Sequence, residues 1–196
     1  MLWLEIIRQK IKGQKEVLKK YNKDTQSIIL LEQYLKDIHP YDSTNREGLA
    51  AKVYFHSLFG INFSRMDENA INACLNYGYS IIRAYICRTI VAKGLNTQLG
   101  IFHRGPQNAF NLADDIIEPF RPIVDNFVYQ NFINLKIFTK EERLKLLELL
   151  NLKIEVNNEK ITLTHSIDKF VDSLIQYLNS QGKNNIIQIS PLYDDL

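Results

Sequence analysis

Residues 103–122 read HRGPQNAFNLADDIIEPFRP. This stretch places one histidine, His103, ahead of three carboxylates, Asp114, Asp115 and Glu118, in a segment that predicts a single short helix. Positions three and four apart lie on one face of a helix, so we expect Glu118 to lie beside the two aspartates. A histidine with converging carboxylates suits a divalent ion such as Mn²⁺ or Mg²⁺. An ordinary solvated helix face accounts for the same pattern.

The composition limits the class of protein. The chain has 196 residues, of which 45% are hydrophobic and 23% charged, and its formal net charge is +2. These values indicate a folded domain rather than disorder, and the low net charge is weak evidence against a strong nucleic-acid binder. No uninterrupted apolar run approaches the ~18 residues that a membrane helix needs, and residues 1–10 lack the apolar core of a secretory signal. We therefore predict a soluble, cytoplasmic protein with no membrane partner.

The two cysteines, Cys74 and Cys87, fall in one long predicted helix. At a rise of about 1.5 Å per residue they lie about 20 Å apart, which is too far for a disulfide. They also lack the CxxC spacing of a zinc motif. The cysteines thus indicate only a reducing compartment.

Helical periodicity runs through most of the chain. The predicted helices cover residues 2–22, 25–38, 46–58, 67–93, 123–132, 139–150 and 166–180, in addition to the short acidic helix that ends at Pro119. Apolar and polar residues alternate instead at 153–156 and 160–163, around a turn at 157–159, and predict a small β-hairpin. The predicted fold class is therefore mainly α with one small hairpin near residues 153–163.

We interpret residues 1–196 as a single helical domain. Residues 1–45 form the lead-in helices, residues 46–150 form the core that carries the metal site, and residues 151–196 form the hairpin, a helix and a tail. We expect the last sixteen residues to trail along the surface.

Capping and packing signals refine these helices. Thr44 followed by Glu47 matches a capping box at the start of a helix, which offers Glu47 a purely structural role. Asp67 is the predicted N-cap of the long helix that follows. Gly78, in the middle of that helix, costs about 1 kcal/mol relative to alanine, so we expect another helix to cross closely there.

A basic stripe follows the first predicted helix. Arg8, Lys12, Lys15 and Lys19 recur three or four residues apart, and the chain up to Lys23 contains seven Lys or Arg against two Glu. Such a stripe can contact the DNA backbone. A solvated helix face explains it equally well.

Three blocks of sequence resemble the CRISPR-associated protein 1 family, the DNA integrase of CRISPR adaptation, in the form found in type II systems. The blocks are NREGLAAKVYF at 45–55, SRMDENAINACLNYGYSII at 64–82 and GIFHRGPQNAFNLADDIIEPFRPIVD at 100–125. The resemblance implies a largely helical catalytic domain in which Glu47, His103 and Glu118 bind a divalent metal and act in catalysis. It also implies that Asp114 and Asp115 support the metal through water or hydrogen bonds.

The resemblance further implies the reaction and the partners. Family members join the 3′-hydroxyl of short DNA, the new spacer, to the repeat array by transesterification, and they also nick DNA with Mn²⁺ or Mg²⁺. We expect Mn²⁺ to be preferred here because imidazole suits softer ions. The expected partners are DNA, a second copy in a homodimer, and the small companion subunit CRISPR-associated protein 2.

One departure from the family affects these expectations. Members begin with a β-rich domain, whereas the residues before Glu47 predict helices, so the chain resembles a separately expressed catalytic half. We expect this half to fold and bind metal. Because integration needs two active sites at a fixed spacing, we also expect that it does not integrate on its own.

Two other functional classes fit parts of the pattern. One is a non-catalytic helical DNA-binding module, in which the basic stripe holds DNA and the acidic helix is surface. The other is a different metal hydrolase. A two-metal phosphohydrolase is expected to place a second histidine beside an aspartate, and His39, His56 and His165 lack that spacing.

Overall fold

The computed structural model of the chain describes residues 2–39, 42–157 and 159–193. Within them the α-helices are α1 (Leu2–Lys20), α2 (Thr25–Lys36), α3 (Arg46–Phe59), α4 (Ala70–Ala92), α5 (Asn111–Ile116), α6 (Arg121–Phe132), α7 (Lys140–Leu146) and α8 (Leu163–Asn179). Two 3₁₀ turns, Glu118–Phe120 and Leu147–Asn151, follow α5 and α7. The strands are β1 (Lys153–Val156) and β2 (Glu159–Thr162). The prediction of a mainly α fold with one small hairpin is confirmed.

The hairpin is antiparallel, with Lys153 opposite Thr162 and Val156 opposite Glu159. Asn157 has a positive φ of 53° in the turn, a conformation that asparagine tolerates better than most residues. Glu159 belongs to β2 rather than to the predicted turn, and Asn158 lies outside the described residues.

The first helix is central to the packing. α1 contacts α2, α3, α5, α6 and the 3₁₀ turn at Glu118–Phe120. Its apolar side chains Ile6, Ile7, Ile11, Val17 and Leu18 are fully buried, because apolar residues three or four apart form one stripe along a helix. α1 therefore belongs to the core of the fold, and the division of the chain at residue 45 stays a prediction.

The long helix α4 packs against α6 at Gly78. A β-carbon at Gly78 would lie 2.5 Å from Cγ1 of Val124 and 3.3 Å from Cδ1 of Leu149. Only a residue without a side chain permits this approach. The close helix crossing predicted at Gly78 is confirmed.

Two predicted helix caps are wrong. The side chain of Asn69, not Asp67, accepts a hydrogen bond at the start of α4, from the backbone N–H of Asn72 at 2.8 Å. At the start of α3 the carboxylate of Asp42 accepts from the backbone N–H groups of Arg46 and Glu47, at 2.7 and 2.9 Å. Because Asp42 fills the capping role, the side chain of Glu47 is released for other contacts.

Residues 181–193 do not trail along the surface as predicted, and residues 194–196 lie outside the described residues. Ile186 and Ile189 are buried, and the Gln9 side chain donates to the carbonyl of Ile187 and accepts from the N–H of Ile189. Tyr193 adds an antiparallel bridge to Ile154 of β1. This segment thus closes the core beside α1.

Candidate active site

The three carboxylates of residues 114–118 do not share one helix face, contrary to the prediction. α5 ends at Ile116, and Glu118 begins a 3₁₀ turn that leads into α6. Pro119 lacks the N–H that would continue an α-helix, and a 3₁₀ turn places successive side chains at different angles from an α-helix. Each carboxylate consequently has its own set of partners.

Glu118 meets Glu47 across a single lysine. Lys10 Nζ lies 2.5 Å from Oε2 of Glu118 and 2.6 Å from Oε1 of Glu47. The other oxygen of Glu118, Oε1, accepts a hydrogen bond from Nε of Arg121 at 2.8 Å. The side chains of Lys10 and Glu118 are only 11% and 5% exposed. Residues from α1, α3 and the 3₁₀ turn therefore form one compact charged cluster.

Charge pairing outweighs burial in this cluster. Burial lowers the pKa of Lys10, but the carboxylates of Glu118 and Glu47 raise it by more, so the net shift is upward. Burial likewise raises the pKa of Glu118, and the Lys10 and Arg121 cations more than offset it, so this pKa is lowered. Both side chains are therefore charged at neutral pH.

A cleft of about 270 Å³ opens beside the cluster. On its far wall Tyr79 donates a hydrogen bond to buried Asp125, and the guanidinium groups of Arg121 and Arg65 lie 4.6 and 5.6 Å from the centre of the Tyr79 ring. Burial raises the pKa of Asp125 to about 6, against the opposing effect of the Tyr79 hydrogen bond. Gln14 also lines the cleft, and its amide oxygen is buried without a hydrogen-bond partner among the described residues.

His103 forms the second part of the site with Asp115. His103 Nδ1 lies 2.6 Å from Oδ1 of Asp115, and this fully buried carboxylate also accepts the backbone N–H groups of Ile101, Phe102 and His103. Gly100 permits the turn, because a β-carbon there would clash with the carbonyl oxygen of His103. The hydrogen bond to Asp115 raises the pKa of His103, and burial opposes it.

Asp114 points elsewhere than its neighbour. Its carboxylate accepts from Asn108 Nδ2 at 2.8 Å and pairs with Arg83 at 3.4 Å. Asp115 contacts the predicted ligand His103, in line with the expected supporting role. Asp114 contacts Asn108 and Arg83 instead, and its role at a metal stays a prediction.

The donors present suit a divalent cation in chemistry, although they are not gathered into one ligand cluster. Within residues 2–39, 42–157 and 159–193, no three His, Cys, Asp or Glu side chains form a group that could hold a metal as they stand. Glu47 and Glu118 nevertheless converge on one cation, the Lys10 ammonium, and carboxylate oxygens are the ligands that hard divalent ions prefer. A histidine that donates Nδ1–H to a carboxylate is also typical of metal ligands, since it leaves Nε2 available. His103 lies near enough to Glu118 for that carboxylate to raise its pKa.

The predicted basic stripe of α1 is only partly free. Lys15 pairs with Glu32 at 3.3 Å, and Lys19 pairs with Glu16 at 3.3 Å. Lys12 is exposed, and Arg8 is half-buried beside the C-terminal segment. DNA contact by this stripe stays a prediction.

Comparison with known proteins decides the family. The family model for CRISPR associated protein Cas1 matches residues 2–153 of the chain. The chain belongs to the Cas1 family. The predicted membership is thereby confirmed, and the matched region includes Lys10, Glu47, His103 and Glu118.

Two curated Cas1 relatives show the extent of the similarity. The CRISPR-associated endonuclease Cas1 of Neisseria meningitidis serogroup C (strain 8013) is 38% identical over 175 residues, which cover 88% of this chain and 57% of the relative. The CRISPR-associated endonuclease Cas1 1 of Francisella tularensis subsp. novicida (strain U112) is 30% identical, covering 87% of this chain and 62% of the relative. The chain thus spans about three fifths of the length of these relatives.

Solved structures share the fold. A Cas1 protein from Thermotoga maritima has a TM-score of 0.74 at 17% identity, covering 92% of this chain and 68% of that one. A casposase bound to integration product has a TM-score of 0.68 at 23% identity, covering 93% and 60%. A chain of a partial Cas6-RT-Cas1–Cas2 complex has a TM-score of 0.75 at 18% identity, covering 93% and 66%. The helical architecture is therefore that of Cas1.

Sequence reasoning missed the cations of this Cas1 site. Lys10 is one of the seven cations before residue 24, and Arg121 lies between Pro119 and Pro122, and neither was predicted to belong to the site. A signal for Lys10 existed, because it lies three residues after Ile7 and seven before Val17, inside the buried stripe. A lysine in an apolar stripe requires a buried anionic partner.

Cys74 and Cys87 are free thiols, as predicted. Among the described residues no helix is both long and apolar enough to cross a membrane.

Proposed function

We propose that this chain is the catalytic part of a metal-dependent DNA endonuclease and integrase of CRISPR adaptation. In this proposal it joins the 3′-hydroxyl ends of short DNA to the repeat array by transesterification. The observation that carries the proposal is the convergence of Glu47 and Glu118, from α3 and from the 3₁₀ turn before α6, on one cation in a cleft. Bringing a buried carboxylate, Glu118, close to the partly buried carboxylate of Glu47 is costly in desolvation, which favours a functional reason for the arrangement.

Glu47, Glu118 and Nε2 of His103 would hold the metal, Mn²⁺ or Mg²⁺. When bound, such an ion activates a hydroxyl and neutralises charge on a phosphate. The surrounding residues of the chain orient these ligands. Arg121 fixes one oxygen of Glu118, and Asp115 fixes the tautomer and ring direction of His103. Arg65 places a further cation on the wall of the cleft, where a DNA phosphate would bind.

DNA, a second copy of the chain and the companion subunit Cas2 are the proposed partners. This part of the proposal is supported by the shared fold of a casposase bound to integration product and of a Cas1 chain from a complex with Cas2. Because integration needs two active sites at a fixed spacing, we expect this chain alone to nick DNA and bind it weakly, and paired integration to require the partners. The assay is strand transfer into supercoiled DNA, with and without Cas2.

The catalytic proposal is tested by nuclease assay and Mn²⁺ calorimetry together. We expect Glu47→Gln, Glu118→Gln and His103→Ala each to lose at least about 100-fold in DNA cleavage, since each removes a ligand of a charge-stabilising ion. Exposed Glu141 of α7 provides the matched control, and Glu141→Gln should retain wild-type cleavage and metal affinity. Cleavage that persists in EDTA, or in Glu118→Gln, would contradict the proposal. Metal-independent DNA binding without any cleavage would instead favour the non-catalytic helical module.

A further inference from the structure

The ammonium group of Lys10 occupies a place of unusual chemistry. It comes from α1, far from Glu47 and Glu118 in the chain, and it lies within 2.6 Å of an oxygen of each. Only 8% of the residue is exposed. A lysine on a helix surface normally keeps its ammonium in water. The ammonium of Lys10 instead points into the protein, where it neutralises the charge of the two carboxylates.

A side-chain cation faces each oxygen of Glu118, although Oε2 makes no hydrogen bond among the described residues. Oε2 lies against Lys10 and Oε1 against Nε of Arg121. The two carboxylates of Glu47 and Glu118 are thus balanced by two side-chain cations. A divalent ion added to the same pair would bring two positive charges against the ammonium at contact distance, and the three cations cannot share the two carboxylates.

We propose that Lys10 is an internal counter-cation of the site, which a divalent metal ion must displace from between Glu47 and Glu118, so that Lys10 sets the affinity for the metal. The inference rests on the proposed metal-dependent function and adds a positioning residue to it. In the metal-free protein the two carboxylates would repel one another, and the charge of Lys10 between them removes this repulsion. The upward shift of its pKa agrees with a cation held by these two charges.

The cleft offers a place for the displaced ammonium. Gln14 lies four residues after Lys10, hence on the same face of α1, and only 2% of it is exposed. Gln14 lines the same cleft, and its buried Oε1 has no hydrogen-bond partner among the described residues. An amide oxygen accepts hydrogen bonds from an ammonium group, so Gln14 can receive Lys10 when the metal binds.

Calorimetric titration with Mn²⁺ tests the proposal on the purified chain. Lys10→Met keeps the length of the side chain and removes its charge, and we expect it to bind Mn²⁺ at least about tenfold more tightly than wild type. Lys36→Met on α2 removes an equal charge from an exposed position, and should stay within about twofold of wild type. Equal or weaker Mn²⁺ affinity in Lys10→Met, with Glu118→Gln still abolishing binding, would overturn the inference and leave the proposed metal site intact.

A second measurement uses the wild-type protein and covers the case in which Lys10→Met does not fold. Acetylation of lysines followed by mass spectrometry reports how accessible each ammonium is. Lys10 should react slowly in EDTA and at least about fivefold faster in Mn²⁺ at saturation, whereas Lys36 should react equally in both. An unchanged rate at Lys10 in metal-saturated protein would overturn the inference. If neither wild type nor Lys10→Met bound Mn²⁺, the inference and the metal site would both fall.

Discussion

The carboxylate part of the site and the histidine part are built by different means. Glu47, Glu118 and Lys10 come from three elements that meet only through packing; Lys10 and Glu118 are buried, and Glu47 is partly buried. His103 and Asp115 are twelve residues apart in the chain, and the backbone of one loop holds them. The side chain of His103 is 42% exposed, whereas that of Glu118 is 5% exposed. Disturbing the first part should therefore affect the whole fold, and disturbing the second should affect mainly its own loop.

The largest expected effect separates the two parts by stability. Glu118→Ala leaves the buried ammonium of Lys10 and the partly buried guanidinium of Arg121 without their shared partner, and we expect a loss of about 3 kcal/mol or more in the free energy of unfolding. His103→Ala should cost less than about 1 kcal/mol, because Asp115 keeps its backbone donors. Urea denaturation followed by circular dichroism measures both. Glu16→Ala, at an exposed ion pair with Lys19, is the control and should change little; a small loss in Glu118→Ala would break the comparison.

The next effect concerns the histidine loop. Asp115→Ala removes the acceptor of three backbone N–H groups, and an unsatisfied buried donor costs about 1–3 kcal/mol. We expect a total loss of about 3 kcal/mol. Hydrogen exchange should accelerate at the amides of Ile101, Phe102 and His103 and remain unchanged in α1. Asp114→Ala is the control, because it removes a neighbouring carboxylate whose partners are more exposed. Faster exchange in α1 as well would show that the two parts are not separate units.

A smaller expected effect is the pH dependence of stability that Asp125, on the buried wall of the cleft, contributes. Burial raises the pKa of Asp125 from its usual 3.8 to about 6 in the folded protein. The folded state thus holds this proton more tightly than the unfolded chain, so the contribution of Asp125 to stability falls as pH rises from about 4 through about 6. The total loss is roughly 2–3 kcal/mol.

Asp125→Asn should lack this contribution, because the amide does not titrate. Denaturation of wild type and variant at several values between pH 4 and 7.5 gives the difference, which should grow in favour of the variant as pH rises. A constant difference across that range would mean that Asp125 is ionised throughout.

The smallest expected effect is on DNA affinity and concerns the outer face of α1, which lies outside both the carboxylate part and the histidine part of the site. Lys12→Ala removes an exposed cation, and we expect DNA affinity to fall about threefold and the slope of its salt dependence to decrease by about one. Lys15→Ala should have a smaller effect, because Glu32 already engages that ammonium. Fluorescence anisotropy with short duplex DNA at several salt concentrations measures both. Equal losses would show that DNA releases Lys15 from Glu32.

Local sequence signals predicted what depends on neighbours in the chain. Periodicity alone predicted the helices and the hairpin, because the spacing of apolar residues decides which face an element can bury. Gly78 predicted a close helix crossing, since little else justifies a glycine there. His103 and Glu118 were candidate ligands from the 103–122 stretch itself, Glu47 was added through resemblance to the family, and the role of all three as ligands stays a prediction.

The wrong predictions share a physical cause. The predicted acidic helix face is wrong because Pro119 changes the helix type one residue after Glu118. The predicted capping box at Glu47 is wrong because Asp42 accepts the hydrogen bonds of the N–H groups at the start of α3. The last residues were expected on the surface, yet the Gln9 side chain on α1 binds their backbone. Each error came from a partner that the local pattern does not contain.

The sequence by itself determined the helical class, the hairpin, the family and the residue types available for metal chemistry, because these depend on short-range periodicity and on the residues themselves. Only the tertiary structure decided which charges meet. Lys10 and Glu118 are more than a hundred positions apart in the chain, and the packing of α1 against the turn before α6 brings them to 2.5 Å. The cost of burying a charge makes such a pairing obligatory once the helices pack, and no local pattern specifies the partner.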